Sequence, residues 1–253
     1  MLQVLSTNRA LQDIHRGARC FILGTGPSIN KQDLRPLRSE ICISMNSFFL
    51  HKDYPTIAPQ YHIASGLALH PLIPLEVGVQ WYREMEEKTG SATMLLNLLD
   101  HDTIQKYNLF RNHTVFFLDY RGEWNALQTV GIDAAKLLYP GQSVSIMAIQ
   151  VAIYMGFKEI YLLGLDHDWI LRLAERLPTH FYNPEESILE GSAEANWIGT
   201  NWKNELWCNW NLWDQYEKLK AFAEMKGVII FNATAGGLLD VFEKVDYDQV
   251  VRT

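Results

Sequence analysis

Long apolar runs are missing from this 253-residue chain: none reaches the roughly 18 to 20 uninterrupted apolar residues that cross a bilayer. Met1 to Arg19 lacks the apolar centre of a signal peptide. The expectation is a cytoplasmic protein, or one peripheral at the inner membrane face, with no integral membrane segment. Basic charge is also short. Twenty-two Lys and Arg stand against 29 Asp and Glu, a net charge of −7. That balance argues against a general nucleic-acid binder, which meets the phosphate backbone with a basic surface, while leaving room for a local pocket that takes a small anion. Cysteine is sparse. Cys20, Cys42 and Cys208 have no metal-ligand spacing, and two of them fall in apparent strands, so they read as buried reduced thiols. There is no Walker loop, no Gly-x-Ser-x-Gly elbow, no His-Glu-x-x-His helix, no internal repeat and no low-complexity linker.

What remains is the composition of a soluble globular protein, 48% hydrophobic and 20% charged. The length suits a single α/β domain spanning 1–253, with 169–211 as a lid insertion. The chain is organised around Cys20-Phe21-Ile22-Leu23-Gly24-Thr25-Gly26-Pro27-Ser28. Four apolar residues in a row fit a strand buried on both faces, and Gly-x-Gly permits a sharp turn. Pro27 and Ser28 then open a helix or turn whose free N–H groups, with the Ser28 hydroxyl, suit a nucleotide phosphate. An ordinary tight turn fits the same residues.

Further strands are expected at Ile41–Met45, ending at Asn46, at Tyr61–Ala64, Thr114–Leu118, Glu159–Gly164 and Val228–Phe231. Helices are expected between Leu69 and Asp102, with Glu84 to Lys88 as an exposed face. Asn46 either orients a base or ribose or caps the next turn. Asp119-Tyr120-Arg121-Gly122 begins a loop that could approach the same site. Ser143 and Ser145 precede or open a helix whose Ile146, Ile149, Ala152 and Ile153 keep a 3.6-residue period, and Gly156 is placed to cap it. Helix followed by strand, repeated, implies crossovers and a mostly parallel, Rossmann-like sheet with helices on both faces. Ligands gather at the carboxyl ends of such strands, so Gly24, Asn46 and the Gly164-Leu165-Asp166 corner could share a crevice. Five of the eight tryptophans, Trp197, Trp202, Trp207, Trp210 and Trp213, crowd before an expected helix over Leu212 to Lys226. They suggest a small Trp-rich lid packed over the sheet edge, or a platform on which a sugar or base stacks.

Two constellations carry candidate chemistry. Asp166-His167-Asp168 follows a strand directly, so Asp166 and Asp168 could share magnesium, or Asp166 could meet ribose hydroxyls. His180, in Pro178-Thr179-His180-Phe181-Tyr182, could take a proton from an attacking hydroxyl, or be a structural histidine of the lid.

Gly24-Thr25-Gly26-Pro27-Ser28-Ile29, Met45 to Leu50 and the block Ala152 to Asp166 resemble the bacterial CMP-sialic acid-dependent sialyltransferases. They are equally similar to the related 6-hydroxymethylpterin diphosphokinase-like domain, found also in flagellin-glycosylation factors and surface-polysaccharide clusters. The resemblance covers most of the chain from Arg19 to Phe242. It implies nucleotide contacts at Gly24, Thr25, Gly26, Ser28, Asn46, Ser143 and Ser145, a catalytic base at His180, and a nucleotide-proximal loop at Asn232 to Gly237. The chain departs from the sialyltransferase pattern at Gly141-Gln142, where an arginine is expected, and at Asp168, where a tyrosine is expected.

Together these imply a transferase that moves a sugar, such as a nonulosonic acid, from a nucleotide donor to a glycan or glycolipid acceptor of a surface polysaccharide. No tightly bound cofactor is expected, magnesium is compatible, and so is a homo-oligomer. Pyrophosphoryl transfer from ATP and a non-catalytic nucleotide-binding role are the alternatives.

Overall fold

The computed structural model describes residues 2–67, 73–175, 177–189 and 201–252. Trp197 of the expected lid lies outside the described residues. The strands are β1 Arg19–Leu23, β2 Cys42–Met45, β3 Tyr61–Ile63, β4 Thr93–Asn97, β5 Val115–Leu118, β6 Glu159–Leu163, β7 Ile229–Asn232 and β8 Glu243–Lys244. The helices are α1 Leu2–Ser6, α2 Tyr54–Ile57, α3 Leu75–Lys88, α4 His101–Tyr107, α5 Leu127–Val130, α6 Val144–Tyr154, α7 Trp169–Glu175, α8 Trp202–Met225 and α9 Tyr247–Val250. All eight strands form one sheet in the order β5-β4-β3-β2-β1-β6-β7-β8, with every pairing parallel.

Parallel strands with helical crossovers bury both faces, and β1 shows how. Cys20 and Ile22 point into the layer that holds α6 and α8; Phe21 and Leu23 point into the layer built with α3 and the turns after β1 and β2. The α/β, Rossmann-like architecture with helices on both faces is therefore as expected. Helix α6 is buried on nearly all sides between the sheet and α8, which explains its apolar sequence. Its one buried amide, Gln150, donates to the Tyr139 carbonyl and accepts from the Tyr139 amide, both at 2.8 Å. Gly156 ends the helical block with φ +85°.

Several expectations need correction. Thr93–Asn97 is a strand within a stretch expected to be helical; Met and Leu favour helices in isolation, and pairing with β3 and β5 overrides that preference. Helix α8 begins at Trp202, ten residues earlier than Leu212. Trp202, Trp207 and Trp210 consequently stand on its outer face, exposed, instead of covering the sheet edge. Trp213 packs against the core and donates Nε1–H to Asp240 at 2.8 Å. Finally, β5 is the outermost strand, four spacings or about 19 Å from β1. Arg121 there forks onto the Asp119 carboxylate at 2.7 and 2.5 Å, an ion pair at the sheet margin remote from the glycine turn.

Candidate nucleotide site

The chain builds β1 to β5 outward on one side, then crosses back to lay β6 against β1. The ends of β1 and β6 thus flank the topological switch point, where doubly wound sheets open a crevice. Gly24-Thr25-Gly26 and Gly164-Leu165-Asp166 leave those two strand ends side by side. Gly24 donates its amide to the Leu163 carbonyl and Gly26 to the Gly164 carbonyl, each at 2.8 Å. A Cβ on Gly24 would sit 2.6 Å from the Gly164 carbonyl oxygen, and one on Gly26 only 1.9 Å from Asp166 Oδ2. Glycine is required for this approach. Gly164 itself turns with φ +64°.

Several of the turn's amides are engaged within the fold. Besides Gly24 and Gly26, Ser28 donates its amide to Asp166 Oδ2 at 3.1 Å. Pro27–Lys31 is a five-residue 3-10 helix rather than an α-helix. The Asp166 carboxylate occupies the position an anion would take. Burial pushes its pKa up, opposed by hydrogen bonding from Ser28. Asp166 Oδ1 and the Ser28 hydroxyl, both buried, make no hydrogen bond within 3.5 Å, although the hydroxyl is near enough to the carboxylate to oppose the rise in its pKa. The small-residue loop after β7 closes the far side. Thr234 Oγ1 accepts from the Leu165 amide at 3.2 Å, and Leu238 donates its amide to the Asp166 carbonyl at 2.7 Å.

The segment after α7 folds back onto the same turn. His180 Nδ1 lies 2.8 Å from Thr25 Oγ1, and the next residue, Phe181, donates its amide to the Thr25 carbonyl at 2.9 Å. The Phe181 ring meets Phe48 and His51 of the turn that Asn46 opens, at 5.8 and 5.1 Å between centroids. His180 stacks flat on Tyr182. Asn46, at φ +45°, accepts the Ser65 amide on Oδ1 at 3.2 Å, while its carbonyl faces His62 Nε2 at 2.9 Å. The ends of β1, β2 and β6 and the His180 segment therefore form one connected rim.

Ser143 caps α6, whose N-terminus reaches this rim. Ser145, fully buried, donates its hydroxyl to Ser143 Oγ at 2.8 Å and also lies 2.5 Å from the Tyr216 hydroxyl of α8. Tyr216 in turn lies 2.7 Å from His167 Nε2. Burial pushes the His167 pKa down to about 3, so it is neutral. Ser143 faces outward; Ser145 supports it. Sequence reasoning missed His167 and Tyr216 as parts of this network, since an apolar-faced helix gives no sign of which hydroxyl it turns inward.

Asp168 is held by Arg172 Nε at 2.7 Å, and Arg172 also donates to the Pro178 carbonyl, two residues before His180. Among the described residues no three His, Cys, Asp or Glu side chains converge to hold a metal ion, and no helix is long and apolar enough to cross a membrane. A surface groove of about 410 Å³ lies elsewhere, along α8 beside Trp213, Glu217, Lys220 and Asp240. Trp213 and Lys220 are already engaged there with Asp240 and the Val241 carbonyl.

The fold has a solved counterpart. The chain is similar to the sialyltransferase CstII from Campylobacter jejuni, whose structure was determined in complex with a substrate analogue, cytidine-5'-monophosphate. The two share 14% sequence identity at a TM-score of 0.52, covering 91% of this chain and 85% of that one. The likeness is one of fold. No protein-family model matches the chain, and no curated protein matches it significantly.

Proposed function

We propose that this protein is a glycosyltransferase that binds a nucleotide-sugar donor at the switch point between β1 and β6, with His180 as the base. The observation that carries the reading is the 2.8 Å contact between His180 Nδ1 and Thr25 Oγ1, which holds an imidazole at the glycine turn. The reading requires the tautomer in which Nδ1–H donates to Thr25 and Nε2 carries the basic lone pair. The acceptor hydroxyl attacks the anomeric carbon, its proton passes to His180, and the bond from that carbon to the donor phosphate oxygen breaks.

The leaving phosphate gathers charge near Thr25 and the half-exposed Ser143 at the head of α6. Asp166 Oδ1, buried and unpartnered, suits a donor group of the nucleotide, such as a sugar hydroxyl or an exocyclic amine. Gly24, Gly26, Pro27, Asn46 and Gly164 shape the walls, and Ser145 supports Ser143. Fold likeness to a sialyltransferase solved with CMP supports a CMP-linked nonulosonate as donor, with a surface glycan or glycolipid as acceptor.

His180→Ala is expected to lower transfer by about 10²- to 10⁴-fold with nucleotide binding retained; unchanged turnover refutes the assignment. A thermal-shift panel of CMP, CDP, UDP, GDP and ATP, with and without magnesium, should show CMP stabilising most and without metal. The unpartnered Asp166 oxygen also favours a second reading, pyrophosphoryl transfer from ATP with magnesium on Asp166 and Asp168. That reading requires Asp168 to leave Arg172. Stabilisation by ATP only when magnesium is added, with AMP as product, would select it.

A further inference from the structure

Helix α8 is longer than the sheet it covers. Tyr216, bonded to His167 and Ser145, marks the level of the strand ends, and 14 residues at 1.5 Å each carry the axis about 20 Å further to Trp202. The helix changes character at that level. Below it, the outward positions are Glu217, Lys220, Ala221 and Glu224, as a solvent-facing side should be. Above it, the same side presents Trp202, Leu206, Trp207 and Trp210, which are 55%, 60%, 56% and 65% exposed. Together they leave on the order of 500 Å² of apolar surface uncovered, the upper end of what soluble monomers tolerate. Leu171 and Leu177 are exposed on the segment that follows His167, whose ring contacts Trp169 and Trp213.

We infer that this projecting end docks on a lipid bilayer surface, its tryptophans seated at the headgroup level. Two observations choose that occupant. Indoles with a polar edge are the side chains that settle at membrane interfaces. In a chain of net charge −7, residues 201–213 expose no carboxylate: Glu205 is buried and Lys203 is exposed, so this stretch of helix brings no negative charge against an anionic headgroup layer, Glu175 between Leu171 and Leu177 being exposed on the neighbouring segment. The docking stands apart from the transferase reading, but it would bring the mouth of the crevice to a lipid-linked acceptor.

The test is co-sedimentation of the full chain, without nucleotide, with vesicles of phosphatidylcholine containing about 30% phosphatidylglycerol, alongside tryptophan emission with brominated lipid. The expected result is a pelleted protein with blue-shifted, bromine-quenched emission, and at least about tenfold weaker binding for a Trp202→Ser/Trp207→Ser/Trp210→Ser variant. The inference is overturned if the natural chain stays in the supernatant, binds without quenching, or sediments alone as a dimer that the variant dissolves. Equal binding by the folded variant overturns it too. The quenching reads the natural chain alone, so it decides even if the variant fails to fold.

Discussion

Gly26→Ala isolates the contact between the two strand-end turns. Gly26 has φ −63° and ψ 145°, a conformation alanine adopts freely, so the substitution introduces no backbone strain. Its methyl group would meet Asp166 Oδ2 at 1.9 Å and the Gly164 carbonyl oxygen at 2.6 Å, where real Cβ contacts stay beyond 3.0 Å. The carboxylate must retreat by about 1.1 Å and the carbonyl by about 0.4 Å. Overpacking of this kind costs about 1–3 kcal/mol, and the Ser28 amide loses a charged acceptor worth about 1.5–3 kcal/mol. Because one displacement serves both, the expected sum is about 2–5 kcal/mol, or a melting temperature lower by about 5–15 °C for a chain of this size. Calorimetry or a circular-dichroism melt measures it. In an Asp166→Ala background the same substitution should cost at least about 1 kcal/mol less, since the closest obstacle is gone. A melting temperature within about 1 °C of the natural chain, or an identical loss in both backgrounds, would show that the two turns do not touch as described.

Burial raises the Asp166 pKa, so its contribution to stability is full when protonated and is lost as pH rises through the raised folded value. Asp166→Asn keeps an acceptor for Ser28 and is expected to melt higher than the natural chain at pH 7, with the advantage shrinking toward pH 4; an equal shift at both pH values contradicts this. His62 and His167 behave oppositely, both pushed down to about 3 by burial. Their support for the fold is present above the ordinary histidine value of 6.5 and disappears as pH falls toward 3. Where both are neutral only in the folded chain, the slope from this pair is about 3 kcal/mol per pH unit. Denaturant titrations at pH 7, 5.5 and 4.5 should show that decline, and a His62→Gln/His167→Gln variant should flatten it. Tyr216→Phe removes the hydroxyl between His167 and Ser145 and should cost about 1–3 kcal/mol by leaving buried groups unpaired; a neutral result would mean the network carries no stability.

The sheet was readable where sequence alone dictates burial. Cys20 to Leu23 and Ile160 to Leu163 are unbroken apolar runs, and both are central strands. Thr93 to Asn97 escaped because a helix-favouring run becomes a strand only through its neighbours. The start of α8 escaped because tryptophans occupy positions where an exposed helix normally shows charge, which erases the period that marks an amphipathic helix. At the site, the glycine turn, Asn46, Asp166 and His180 were legible as residue types suited to a ligand, and they do lie along one rim. Strand order was not legible, so the Asp119 to Gly122 loop could not be assigned to the outermost strand, β5. Nor could spacing reveal that Asp166 accepts the Ser28 amide, or that Asp168 pairs with Arg172.

The rim is stitched from contacts that span most of the polypeptide. Ser28 reaches Asp166 across 138 positions, Thr25 reaches His180 across 155, and Gln32 reaches Ala233 across 201. Such distant pairings form late, after the entropy of closing very large loops has been overcome. A chain still emerging from the ribosome therefore cannot complete the rim until the loop after β7, with Ala233 and Leu238, is out.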